Sequence, residues 1–94
     1  MDFQVVFERE LHITQGDTER VGVLRISCDN DTAAGFCRCM FSIPVIQEQM
    51  RPSYGDDMLQ ALVLALRSIR SQIEGAEERG IVIWWAEPGD RGAL

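Results

Sequence analysis

The segment DMLQALVLALRSIRSQIE, from Asp57 to about Glu74, carries the one strong helical periodicity in a chain of 94 residues. Leu59, Leu62, Leu66, Ile69 and Ile73 recur at steps of three and four, and Met58, Ala61, Val63 and Ala65 widen the stripe. That spacing puts them on one broad face of an amphipathic helix. Asp57 and Gln60 stand at capping-box spacing: the aspartate can accept the N–H of the third helical residue while the glutamine reaches back to the cap. Gly75 or Gly80 ends the element. A lone helix has no second helix to shield its apolar face, so the rest of the chain must supply a sheet.

The flanking segments have strand patterning. From Phe3 to Thr14, residues Phe3, Val5, Phe7, Leu11 and Ile13 share one face, interrupted by Arg9. Gln15 to Asp17 is a turn around Gly16. A second strand runs from about Glu19 to Cys28, and its apolar positions change parity beside Gly22, which suggests a β-bulge. DNDTAAG is a loop. A third strand spans about Phe36 to Ile46, apolar on both faces, and Pro44 marks an end that leaves the sheet. QEQMRPSYG is a polar connection into the helix. Ile81 to Trp85, IVIWW, is a short buried strand, and EPGDRGAL is a tail with turn chemistry. The expected fold is α+β: a mostly antiparallel sheet of about four strands, ordered β-β-β-α-β, with one long amphipathic helix on one face. Residues 1–94 form a single domain. Adjacent strand residues alternate sides, so one of Trp84 and Trp85 points at the helix and the other away. One helix covers one sheet face only. The other awaits a loop, the tail or a second subunit.

Composition narrows the function classes. The 46% apolar content argues against disorder, and no apolar run approaches the roughly 20 residues that span a bilayer. The N-terminal MDFQVVFERE lacks the basic start of a signal peptide. The expected compartment is cytoplasmic and reducing, where disulfides do not form. Fifteen acids against nine bases give a net charge of −6, and all the bases are scattered arginines. That balance opposes direct binding to nucleic acid or anionic membrane, and it suits a basic protein partner.

Catalytic and metal chemistry find little footing. Cys28, Cys37 and Cys39 lie close in sequence, but Cys37-x-Cys39 on a strand does not converge as a zinc knuckle does. The pair also lacks the spacing and helix N-terminus of a redox motif. The cysteines read as small hydrophobes of the core. His12, the one histidine, has parity opposite to the apolar set and faces solvent. Asp29 and Asp31 begin a calcium-loop pattern whose glycine and distal glutamate are missing. No metal or cofactor is expected, and no catalytic residue is assigned.

The segment GDDMLQALVLALRSIRSQI resembles the helix of a family of small bacterial domains of unknown function. There, a Gly-x-Asp-x-x-Gln-Ala-Leu-x-Leu-Ala-Leu helix follows three strands and precedes a strand bearing tryptophan. Gly55, Asp57, Gln60, Ala61, Leu62, Leu64, Ala65, Leu66 and Ile69 match the motif. The likeness extends to an arginine before Leu11, to Cys39 and Ile43, to Trp84 or Trp85, and to Gly89-Asp90-x-Gly92. Some members end in an aromatic residue where this chain has Ala93-Leu94. The resemblance implies the fold and a bacterial or phage source, and it transfers no functional residue.

The function expected is that of a small acidic protein-binding module without enzymatic activity. It would act as an inhibitor or immunity-type protein that occludes a toxin or another protein, such as a basic nucleic-acid-binding enzyme. The residues expected to meet a partner are Asp29, Asp31, Glu77, Glu78, Trp85, Glu87 and Asp90. The alternatives are a structural or accessory homodimer joined through the open sheet face or an edge strand, and a small-ligand binder or enzyme using His12 and carboxylates.

Overall fold

The computed structural model describes residues 4–31 and 35–85. Its elements are β1 (Gln4–Gln15), β2 (Thr18–Asp31), β3 (Phe36–Ile43), β4 (Gln47–Gly55), α1 (Met58–Glu78) and β5 (Ile81–Trp84). The strands form one sheet in the order β4-β3-β2-β1-β5, and every neighbouring pair is antiparallel. The fold is α+β, as the periodicities imply, with five strands where four were expected. The additional one is β4, formed by the stretch read as a polar connection. It is a sheet edge, and edge strands tolerate both the charge of Arg51 and the missing N–H of Pro52.

The β1–β2 hairpin turns on Gly16 and Asp17. Gly16 has φ +60°, and glycine at the first central position suits the type II′ turn that matches strand twist. Pairing then runs without a break from Gln15↔Thr18 to Gln4↔Asp29, so the bulge expected at Gly22 is absent. The change of parity beside Gly22 is a change of face. Val21 and Val23 are exposed on the outer side, whereas Leu24, Ile26 and Cys28 are buried under the helix. Gly22 serves packing: a Cβ there would come 2.4 Å from Cβ of Pro44. The register break lies instead between Phe41 and Ile43 on β3.

That break is closed by a side chain. Gln47, buried at the start of β4, donates from Nε2 to the Phe41 carbonyl at 3.1 Å and accepts at Oε1 from Gln72 Nε2 at 2.7 Å. One buried amide thereby satisfies an irregular carbonyl and ties the sheet edge to α1. The connecting turn holds Val45 at φ +70°, a strained conformation for a β-branched residue.

The helix begins as expected at Asp57, whose Oδ1 accepts the Gln60 N–H at 2.7 Å. Gln60 reaches back one residue further than a capping box requires, and its Oε1 accepts the Asp56 N–H at 2.6 Å. Gly80, at φ +83°, follows the C-cap Arg79, so Gly80 rather than Gly75 terminates α1. The buried line is Ala61, Ala65, Ile69 and Ala76. Alanines let the axis sit close to the sheet, and they displace the expected centre of the stripe. Leu62, Leu66 and Ile73 flank the line half-buried, and Leu59 is 71% exposed.

The core pairs this line with Leu11, Ile13, Leu24, Ile26, Phe41, Ile43 and Ile83 of the sheet. Cys28 and Cys39 are fully buried within it, which fits their reading as core residues. Their expected thiol state does not hold, because a disulfide joins them. The β2–β3 register sets Cys28 directly opposite Cys39, with Cα atoms 4.0 Å apart, and points both sulfurs at the helix. Cys37, two residues along and partly buried, remains free.

Candidate functional site

The helix lies over β3 and β4 and reaches β5 and part of β2, but it leaves β1 outside its footprint. A cleft follows from that offset. It has a volume of about 260 Å³ and is walled by Phe7, Leu24, Ile26, Leu62, Leu66 and Trp85. Glu8 and Arg9 form its rim. Arg9, the residue that interrupts the apolar face of β1, places its guanidinium 5.2 Å from the centroid of the Trp85 ring, within cation–π range. Phe7 on the sheet side is 47% exposed. The volume falls below the roughly 300 Å³ at which drug-sized sites begin, so the cleft suits one or two apolar side chains of a larger partner.

The outer sheet face is different. Gln4 donates to Ser27 at 2.7 Å, Arg25 to Glu8 at 3.0 Å and Arg38 to Asp29 at 3.0 Å. These cross-strand pairs alternate with Val6, Val21 and Val23 and make a mixed, solvated surface. Trp84 faces this side, and its Nε1 donates to Thr14 Oγ1 at 2.8 Å. Trp85 faces the helix side, so the two tryptophans divide as strand alternation requires. The exposed apolar side chains of β1 and β2 are divided between the faces: Val6, Val21 and Val23 on the outer side, and Phe7 on the helix side.

β1 also presents an open edge. β5 pairs only with His12 to Gln15. From Gln4 to Leu11 the far side of β1 has no strand partner among the described residues.

The residues expected to meet a partner are not brought together. Asp29 lies at the end of the sheet where β1 begins, opposite Gln4, and is ion-paired to Arg38. Glu77 and Glu78 close α1 beside Ile81, which pairs with Gln15 at the other end of β1. Eleven strand steps separate the two ends, roughly 37 Å at strand rise. Asp31 ends β2, and Glu87 and Asp90 lie outside the described residues. Of the set, Trp85 alone is placed in the cleft. Its other walls have the sequence pattern of core residues, and the one sequence signal for them is Arg9 among apolar neighbours.

His12 is half-buried on the outer face opposite Val21 and Trp84. Among the described residues, no group of three or more His, Cys, Asp or Glu side chains is arranged to hold a metal. No helix among them is long and apolar enough to cross a membrane.

A family model described as "Domain of unknown function (DUF6968)" matches residues 7–94. The chain belongs to that family. The matched range takes in the helix motif, the cleft and every element except the first residues of β1. No curated protein and no solved structure matches the chain.

The DUF6968 motif has structural work to do in this member. Gly55 is where β4 meets the helix start, and a Cβ there would lie 2.5 Å from the Ala61 nitrogen. Asp57 and Gln60 cap the helix. Ala61 and Ala65 touch the sheet with no exposure. Leu62 and Leu66 wall the cleft.

Proposed function

We propose that this domain is a protein-binding module that engages its partner through the cleft between β1, α1 and Trp85, and that it acts by occlusion as an inhibitor or immunity-type protein. The observation that carries the reading is the cleft itself. It is apolar, open, small, and rimmed by one acid and one base. A surface of that kind accepts an anchoring side chain from another protein, and buried anchors of this sort dominate interface energetics. The net charge of −6 favours a basic partner and would speed the encounter. The acids are spread over both ends of the sheet, so charge steers the approach while the cleft supplies the contact.

Copurification from the native host tests this. A heterologous protein should be recovered in stoichiometric amount with the wild type, lost with Leu62→Glu, and inhibited in its own activity when the purified domain is added back. Recovery that is indifferent to Leu62→Glu in a folded variant, or a partner whose activity does not change, would overturn the proposal.

A further inference from the structure

We infer that two copies of this chain join edge to edge through β1, in a two-fold pairing centred on Phe7, making one continuous sheet. The inference goes beyond the partner reading and does not depend on it. It rests on the direction of backbone groups, on side-chain parity and on charge.

In a two-residue hairpin the closing pair, here Gln15↔Thr18, exchanges both hydrogen bonds, and antiparallel pairs then alternate. Ile13, Leu11, Arg9, Phe7 and Val5 therefore bond to β2. The short Cα separation of 4.0 Å at Cys28–Cys39 marks a non-hydrogen-bonded pair between β2 and β3. It requires Cys28 to bond towards β1 at Val5, so the two observations agree. The N–H and C=O groups of Val6, Glu8 and Glu10 consequently point away from β2, into the gap beyond the end of β5. An edge of this length with no strand partner among the described residues is a template for another strand.

A second copy can fill it only in certain registers. A two-fold axis normal to the sheet keeps both helix faces on one side, so residues paired across it must share parity. Centring on Glu8 sets two glutamates directly opposite. Centring on Arg9 opposes two arginines and pairs Glu8 with Glu10. Like charges directly opposite oppose pairing. Centring on Phe7 avoids both conflicts: Val6 pairs with Glu8, Gln4 with Glu10 and Val5 with Arg9, while the two Phe7 rings meet at the axis. Centring on Val6 also avoids them among the described residues but gives Glu10 no partner among them. The Phe7 register uses every outward-pointing group from Gln4 to Glu10. The close, non-hydrogen-bonded pair then falls on the half-exposed phenylalanine. The two clefts flank the axis on one face.

Light scattering of the full chain at micromolar concentration should give twice the monomer mass. Val6→Pro removes an edge N–H that β2 does not use. It should give a monomer with an unchanged circular dichroism spectrum. Phe7→Cys, made in a Cys37→Ala background, should form an intermolecular disulfide on mild oxidation, and Glu8→Cys and Arg9→Cys in the same background should form little. A wild-type monomer overturns the inference. So does a dimer that Val6→Pro leaves intact, or crosslinking that favours Glu8→Cys or Arg9→Cys over Phe7→Cys.

Discussion

The disulfide between Cys28 and Cys39 joins two residues whose burial and pairing have separate origins. Their burial follows from their place among Ile26, Phe41 and Ile43. Their pairing depends on the β2–β3 register, which is set across the loop between the strands and leaves no mark on either residue. The disulfide closes a short loop, with the cysteines 11 positions apart. Cross-links of that size stabilise by about 2–4 kcal/mol, chiefly by restricting the unfolded chain. Cys28→Ala combined with Cys39→Ala should therefore lower the urea midpoint, and dithiothreitol should lower that of the wild type in the same direction. Equal midpoints with and without reductant would show that the bond does not hold in solution. Arg9 is the complementary case. In the sequence it is an interruption of the apolar face of β1. In the fold its guanidinium covers the Trp85 ring, and the interruption is the rim of a cleft.

At the scale of elements, α1 was the most legible part of the chain, because both its cap and its period are local. Asp57 caps it as expected, and Asp57→Ala should cost about 1 kcal/mol in chemical unfolding. The centre of its buried face was less legible. Periodicity favoured the leucines, whereas close approach to the sheet selects Ala61, Ala65 and Ile69. Ile69→Asp should unfold the domain, since a charge buried without a partner is large against a total stability of about 5–15 kcal/mol. Leu59→Asp should leave the thermal midpoint nearly unchanged, because Leu59 already faces water. If the two variants were reversed in effect, the assigned face would be wrong by about a third of a turn. β4 carries little strand signal because an edge strand can hold Pro52, Arg51 and Glu48 without loss. These are the residues that otherwise signal a loop, and the only apolar residues among its polar ones are Met50 and Tyr54, with the proline.

For the molecule as a whole, the decisive feature is an offset. The helix is laid across β3, β4 and β5, so the first half of β1 lies outside its footprint, and on the side away from β2 it has no strand partner among the described residues. The cleft and the open edge are both products of that placement. An apolar dye such as anilinonaphthalene sulfonate should brighten on binding the folded protein and quench Trp85. Leu66→Lys should abolish both effects without altering circular dichroism. Dye binding that survives Leu66→Lys would locate the accessible apolar surface elsewhere, on Val21 and Val23 of the outer face for instance.

What the sequence determined by itself was local. The alternation of β1 and β2, the Gly16 turn, the capped helix, the stop at Gly80 and the division of Trp84 from Trp85 all arise from interactions within a few residues of each other. The tertiary structure alone decided which strands became neighbours, that Cys28 faces Cys39, that Gly22 yields its volume to Pro44, and that six apolar side chains from β1, β2, α1 and the end of β5 wall a cleft at the margin of the core. Those outcomes depend on register and on where a rigid helix comes to rest across a twisted sheet. Both are settled by summing many weak contacts between residues far apart in the chain.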